Sequence, residues 1–85
     1  MNTSALSSRI LQLLVQVAPD VDPSSVDPTL DFRQQFDFDS MDTLHFAIAL
    51  HEEYSIDIPE RDYKELRNLA ACCAYVERSL QGKRT

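Results

Sequence analysis

The sequence predicts an all-α fold: a small four-helix bundle, three helices longer and one short, with a long loop between the first and second. Three observations predict it. Apolar residues recur at helical rather than alternating spacing, as in Leu6, Ile10, Leu13, Leu14 and Val17. Punctuation falls to the prolines at positions 19, 23, 28 and 59, because Gly82 is the only glycine. A chain of 85 residues has room for one compact domain, taken here as residues 1–85.

The first helix is expected over residues 4–18, with Thr3 or Ser4 as its cap and Pro19 just past its end. Residues 19–39 form a connection of unusual length, rich in Asp-Pro and Pro-Ser turn signals. Its apolar residues Val21, Val26, Leu30, Phe32, Phe36 and Phe38 are expected to pin it across the bundle. A second helix is predicted over residues 41–54, with Ser40 as N-cap and Asp39 and Asp42 at its positive end. Ile56 and Ile58 anchor the turn through Pro59, and residues 60–66 suit a short third helix with Tyr63 and Leu66 inward. Asn68 then caps a fourth helix carrying Leu69, Cys72, Cys73, Val76 and Leu80 on one face. Gly82 and the basic Lys83-Arg84 close it.

Composition narrows the function. The formal charge of −6 argues against nucleic acid as partner, since phosphate backbones need clustered Lys and Arg. No Lys or Arg lies between Arg33 and Arg61, a stretch that carries Asp37, Asp39, Asp42, Glu52, Glu53, Asp57 and Glu60. Such a one-signed surface either steers basic partners or simply solvates a helix face. The only cysteines, Cys72 and Cys73, are adjacent, which disfavours a disulfide framework and points to a cytoplasmic protein. No basic cluster precedes an apolar run at the amino terminus, and no apolar stretch is long enough for membrane insertion. Glycine-rich phosphate loops are absent. The runs starting at Asp20 and Asp37 lack the glycine of a calcium loop, and Cys72, Cys73, His45 and His51 do not converge as zinc ligands.

The second helix carries the functional signal. At about 100° per residue, Phe46, Ala47, Leu50 and Tyr54 share one arc, and Met41, Leu44 and Ile48 widen it beyond what a small bundle buries. Met41, Leu44 and Ile48 are therefore expected to be at least partly exposed, flanked by His45, His51 and Glu52, with Asp42 and Glu53 further round. An apolar strip with a polar rim suits a docking surface; the alternative is that residues 19–39 cover it. Ser40 either caps the helix or carries an attached phosphodiester, which a helix N-terminus stabilises. Neither His45 nor His51 is spaced to act as its base, so a hydrolase is disfavoured.

The run Phe38-Asp39-Ser40-Met41-Asp42-Thr43-Leu44, then Ala49-Leu50-His51-Glu52-Glu53-Tyr54 and Ile56-Asp57-Ile58-Pro59, resembles acyl carrier proteins. The similarity continues through Asn68-Leu69 to Tyr75-Val76, and loosely over the first helix and loop. The resemblance implies a non-enzymatic carrier in fatty-acid, polyketide or specialised lipid biosynthesis. A phosphopantetheinyl transferase would attach 4'-phosphopantetheine from coenzyme A to Ser40, with Asp39 positioning the transferase and its metal. It further implies that acyl-loading and acyl-processing enzymes with basic surfaces meet a monomer through Met41, Asp42, Leu44, His45, Ile48, His51, Glu52 and Glu53. Thr43, Phe46, Leu50, Tyr63 and Leu66 would line an acyl pocket. A stand-alone peptidyl carrier and an unmodified acidic adaptor are the alternatives. Three departures stand out: Asp37 where the family usually has glycine, His45 and His51 in place of acids, and Tyr63 in place of a small residue. The histidines suggest docking that weakens or changes partner below about pH 6.5. Tyr63 suggests short or polar cargo.

Overall fold

The computed structural model describes residues 3–83, with side chains described for residues 5–82. It contains α1 (Thr3–Val17), α2 (Phe32–Gln35), α3 (Ser40–Tyr54) and α4 (Leu69–Lys83). Two 3-10 segments, Pro23–Ser25 and Glu60–Leu66, stand before α2 and before α4. There are no strands among the described residues, and none of their helices is long and apolar enough to cross a membrane.

The helical spacing of apolar residues becomes a single core. Ile10, Leu13 and Leu14 of α1 meet Phe46, Ala47 and Leu50 of α3 and Leu69, Cys72, Cys73, Tyr75 and Val76 of α4. α1 packs on both α3 and α4, and the segment Glu60–Leu66 fills the side between α3 and α4 with Leu66. Burying this many Leu, Ile and Phe side chains contributes roughly 1.5–3 kcal/mol each before conformational entropy is subtracted. Asn68 caps α4, its Oδ1 accepting the Ala71 N–H at 2.8 Å.

The long connection is held by both its aromatics and its backbone. Phe32 and Phe38 are buried, their ring centroids 5.3 Å apart and 6.0 and 6.4 Å from that of Phe46 on α3. The Phe32 N–H donates to the Arg67 carbonyl at 2.8 Å, and the Ala70 N–H donates to the Pro28 carbonyl at 2.9 Å. Gln35 folds the loop on itself, its Nε2 donating to the Asp27 and Leu30 carbonyls. These bonds deliver residue 39 to the mouth of the bundle in one place.

Several expectations need correction. Within the connection, the Asp22 carboxylate caps the turn Pro23–Ser25, and residues 32–35 complete one helical turn that the turn signals did not indicate. Leu30 does not pin it and is 39% exposed, because its carbonyl rather than its side chain is engaged. Ser40 is not the N-cap but the first residue inside α3; Asp39 caps it, because only Asp39 has a reciprocal partner three residues on. Residues 60–66 wind as a 3-10 helix, whose three-residue turn puts Tyr63 and Leu66 on the same side. Gly82 does not stop α4, which runs on to Lys83. The expected capping by Thr3 or Ser4 and the tail at Lys83-Arg84 fall outside the described side chains.

Candidate functional site

Ser40 is exposed in the first turn of α3, and its hydroxyl has no hydrogen-bond partner among the described residues. A reciprocal cap stands one residue earlier. The Asp42 N–H donates to Asp39 Oδ1 at 2.9 Å, and the Asp39 N–H donates to Asp42 Oδ2 at 3.1 Å. The Thr43 hydroxyl also donates to the Asp39 carbonyl at 3.3 Å. Capping thus occupies Asp39 and Asp42 and leaves Ser40 unengaged.

Along α3, Met41 is 55% and Ile48 44% exposed, and Leu44 between them is half-buried. The loop of residues 19–39 therefore does not cover the strip. His45 and Glu52 are exposed beside it. The other predicted rim residues have internal partners. Glu53 takes Arg9 of α1 in two contacts of 2.7 and 2.9 Å, and this guanidinium holds its carboxyl below the usual carboxylate range. His51 Nδ1 lies 2.7 Å from the Ile56 carbonyl oxygen, which can only accept, so that nitrogen carries the proton.

Two hollows flank the segment Glu60–Leu66. The first, about 300 Å³, is lined by Phe32, Phe38, Ser40, Thr43, Tyr63 and Leu66, with Asp31, Arg33, Lys64 and Arg67 completing its wall. The second, about 660 Å³, lies between Ala47, Ile48 and His51 of α3 and residues Asp57–Pro59, Arg61, Asp62 and Tyr63. Tyr63, half-buried, borders both. Of the five predicted pocket residues, the structure brings Thr43, Tyr63 and Leu66 together at the first hollow. Phe46 and Leu50 do not line either hollow; both are 0% exposed because the core takes them whole. Sequence reasoning missed Arg33, Lys64 and Arg67, which no local pattern unites.

Reactive side chains elsewhere are quiet. Burial pushes the Cys72 thiol up, with Cys73 adding to the effect, so neither is poised as a thiolate nucleophile. Among the described residues no three His, Cys, Asp or Glu side chains converge as a metal site. What the arrangement can do chemically is present one exposed hydroxyl at the positive end of a 15-residue helix, a position that fits an anionic ester.

Comparison with known proteins shows the family of the chain. A family model described as "Phosphopantetheine attachment site" matches residues 8–76. The chain is 31% identical over 75 residues to a protein named putative acyl carrier protein, mitochondrial, of Schizosaccharomyces pombe, covering 88% of this chain and 67% of that one. It is 32% identical over 69 residues to the mitochondrial acyl carrier protein of Neurospora crassa, covering 81% and 52%. Against an acyl carrier protein of Helicobacter hepaticus it is 32% identical over 57 residues, covering 67% and 75%. The chain spans about half to two thirds of the length of the two fungal proteins.

Proposed function

The chain belongs to the phosphopantetheine-attachment-site family, and on that premise we propose that it is an acyl carrier whose arm is joined to Ser40. The observation that carries this reading is the exposed Ser40 hydroxyl, without a hydrogen-bond partner among the described residues, in the first turn of α3 beside the uncovered strip Met41–Leu44–Ile48. The bound arm supplies a thiol that holds acyl groups as thioesters.

The chain's own residues act as attachment point and landing surface. In the attachment, catalysed by a phosphopantetheinyl transferase, the Ser40 oxygen forms a bond to phosphorus. The bond to the adenosine bisphosphate half of coenzyme A breaks, and the hydroxyl proton passes to a base of the transferase. Asp39 orients the transferase and its metal from the position it holds as cap. Partner enzymes with basic surfaces dock on Met41, Leu44 and Ile48, guided by His45 and Glu52. Asp42, His51 and Glu53 support that surface from within, since each already has a partner in the chain. Thr43, Tyr63 and Leu66 border the space available to cargo.

The chain acts as a single, monomeric carrier unit and not as a catalyst, in fatty-acid, polyketide or specialised lipid biosynthesis. It works in the cytoplasm or, as the names of two fungal relatives suggest for their own setting, in the mitochondrion. The test is incubation with coenzyme A and a broad-specificity transferase, read by mass spectrometry. One phosphopantetheine should appear on Ser40 and none on Ser40→Ala. A chain left unmodified is instead an acidic adaptor.

A further inference from the structure

The hollow beside Ser40 has a charge opposite to that of the chain around it. Arg33, Lys64 and Arg67 line it against the single acid Asp31, a surplus of two positive charges (three less one), in a protein of net charge −6. Among the described residues none of the three has a carboxylate within ion-pair distance, whereas Arg9 pairs with Glu53 and Arg78 approaches Glu65. Arg67 is also held in place, its Nη1 donating to the Lys64 carbonyl at 3.1 Å. Three exposed, uncompensated cations around an apolar floor of Phe32, Phe38 and Leu66 form a seat for an anion that carries an apolar group.

We propose that Arg33, Lys64 and Arg67 seat the phosphodiester of the arm, so that its root lies over this hollow instead of swinging freely from Ser40. The inference rests on the carrier reading. The phosphodiester is the one anion whose place is set by covalent attachment, since its phosphorus is bonded to an atom of a residue in the hollow's own wall. The single dimethyl-substituted carbon that follows the phosphate-bearing methylene is apolar and matches the Phe32, Phe38 and Leu66 floor. Because the cations are at the surface, the seat weakens with salt, and a partner offering its own cations can draw the arm out.

The experiment compares the unmodified and arm-bearing forms of the full chain by NMR, after mass spectrometry has established modification of Ser40. Attachment should shift the backbone amides of Arg33, Lys64 and Arg67 as well as those of the first turn of α3. It should also slow the motion of the arm's own amides relative to free coenzyme A, and both effects should shrink as ionic strength rises. In the Arg33→Gln/Lys64→Gln/Arg67→Gln variant both should be lost; the three side chains are exposed, and each single variant provides a milder version of the same loss. A modified chain in which those amides do not move overturns the seat and leaves the carrier reading standing. Movement that begins only when the arm is loaded with a succinyl group, and not with a butyryl group, also overturns it, because the anion held is then the cargo's carboxylate. Failure of the modification itself sinks the carrier reading, and this one with it.

Discussion

Asp39 and Asp42 hold each other's backbone amides, at 2.9 and 3.1 Å, so that the cap stands one residue ahead of the serine and the helix begins at Ser40. Asp39 caps the helix, and the transferase-positioning role proposed for it separates from capping by substitution. Asp39→Ala should cost about 1 kcal/mol of stability, the usual loss for a capping residue. Asp39→Asn keeps an accepting oxygen and should hold stability within a few tenths of a kcal/mol. Both should slow modification of Ser40. Chemical denaturation and a transferase time course check the two halves; an Asp39→Asn chain modified at the normal rate would confine the residue to capping.

Tyr63 lines both hollows beside the segment Glu60–Leu66. Tyr63→Ala should join them and admit a longer acyl chain. On loading with a long acyl group, chemical shifts at Thr43, Ala47 and Leu66 should move more in the variant than in the parent. Large movements at Leu50, Tyr63 and Leu66 in the unaltered chain would show that long cargo already enters.

The two histidines should behave differently. His45 is exposed with no internal partner among the described residues, while His51 Nδ1 holds the Ile56 carbonyl across the end of α3. His45→Glu should tighten binding to a basic partner and His45→Lys should weaken it, measured by calorimetry. His51→Ala should lower thermal stability, with the turn Ser55–Pro59 the first to exchange its amide hydrogens.

Stability should decline at both ends of the pH scale, for separate reasons. Burial, reinforced by donation to Asp62 at 2.9 Å, pushes the Tyr75 phenol up to about 12. A phenol raised in the folded state contributes stability below its ordinary value near 10, and that contribution disappears as pH climbs toward 12. The carboxyls of Asp22, Asp27 and Glu53 are held low by the Ser24 hydroxyl, the Thr29 N–H and Arg9 respectively. Their contribution is present above their ordinary values and is lost as pH falls through the lowered ones. Denaturation midpoints across the range check this, and Tyr75→Phe should lessen the alkaline decline, with the buried Cys72 and Cys73 thiols sustaining the remainder.

Ser55 ends α3 in the left-handed region, at φ 54° and ψ 44°. A side chain there is strained, and glycine is the usual occupant of such a position. Ser55→Gly should raise stability by up to about 1 kcal/mol, measured by thermal or chemical unfolding, with modification of Ser40 unchanged.

The three long helices were legible because their apolar spacing survives in the core: Ile10, Leu13 and Leu14, then Phe46, Ala47 and Leu50, then Leu69, Cys72 and Val76. The cap was misread by one residue since Asp and Ser both serve there, and only the reciprocal bond with Asp42 decides between them. The exposure of Met41 and Ile48 followed from an apolar arc too wide to bury. Contacts between distant stretches left no local pattern. Arg9 meets Glu53 across 44 positions, and Arg33 shares a hollow with Lys64 and Arg67 where the Phe32 N–H reaches the Arg67 carbonyl.

That last bond, with its neighbour from Ala70 to Pro28, joins main chain to main chain. Bonds of this kind survive replacement of either side chain, proline at a donor excepted. Much of the segment leading to Ser40 can accordingly change its chemistry over generations, acquiring new charges or new partners, without moving the point it delivers. Variation there is a means of retuning the carrier's surroundings while its anchorage stays put.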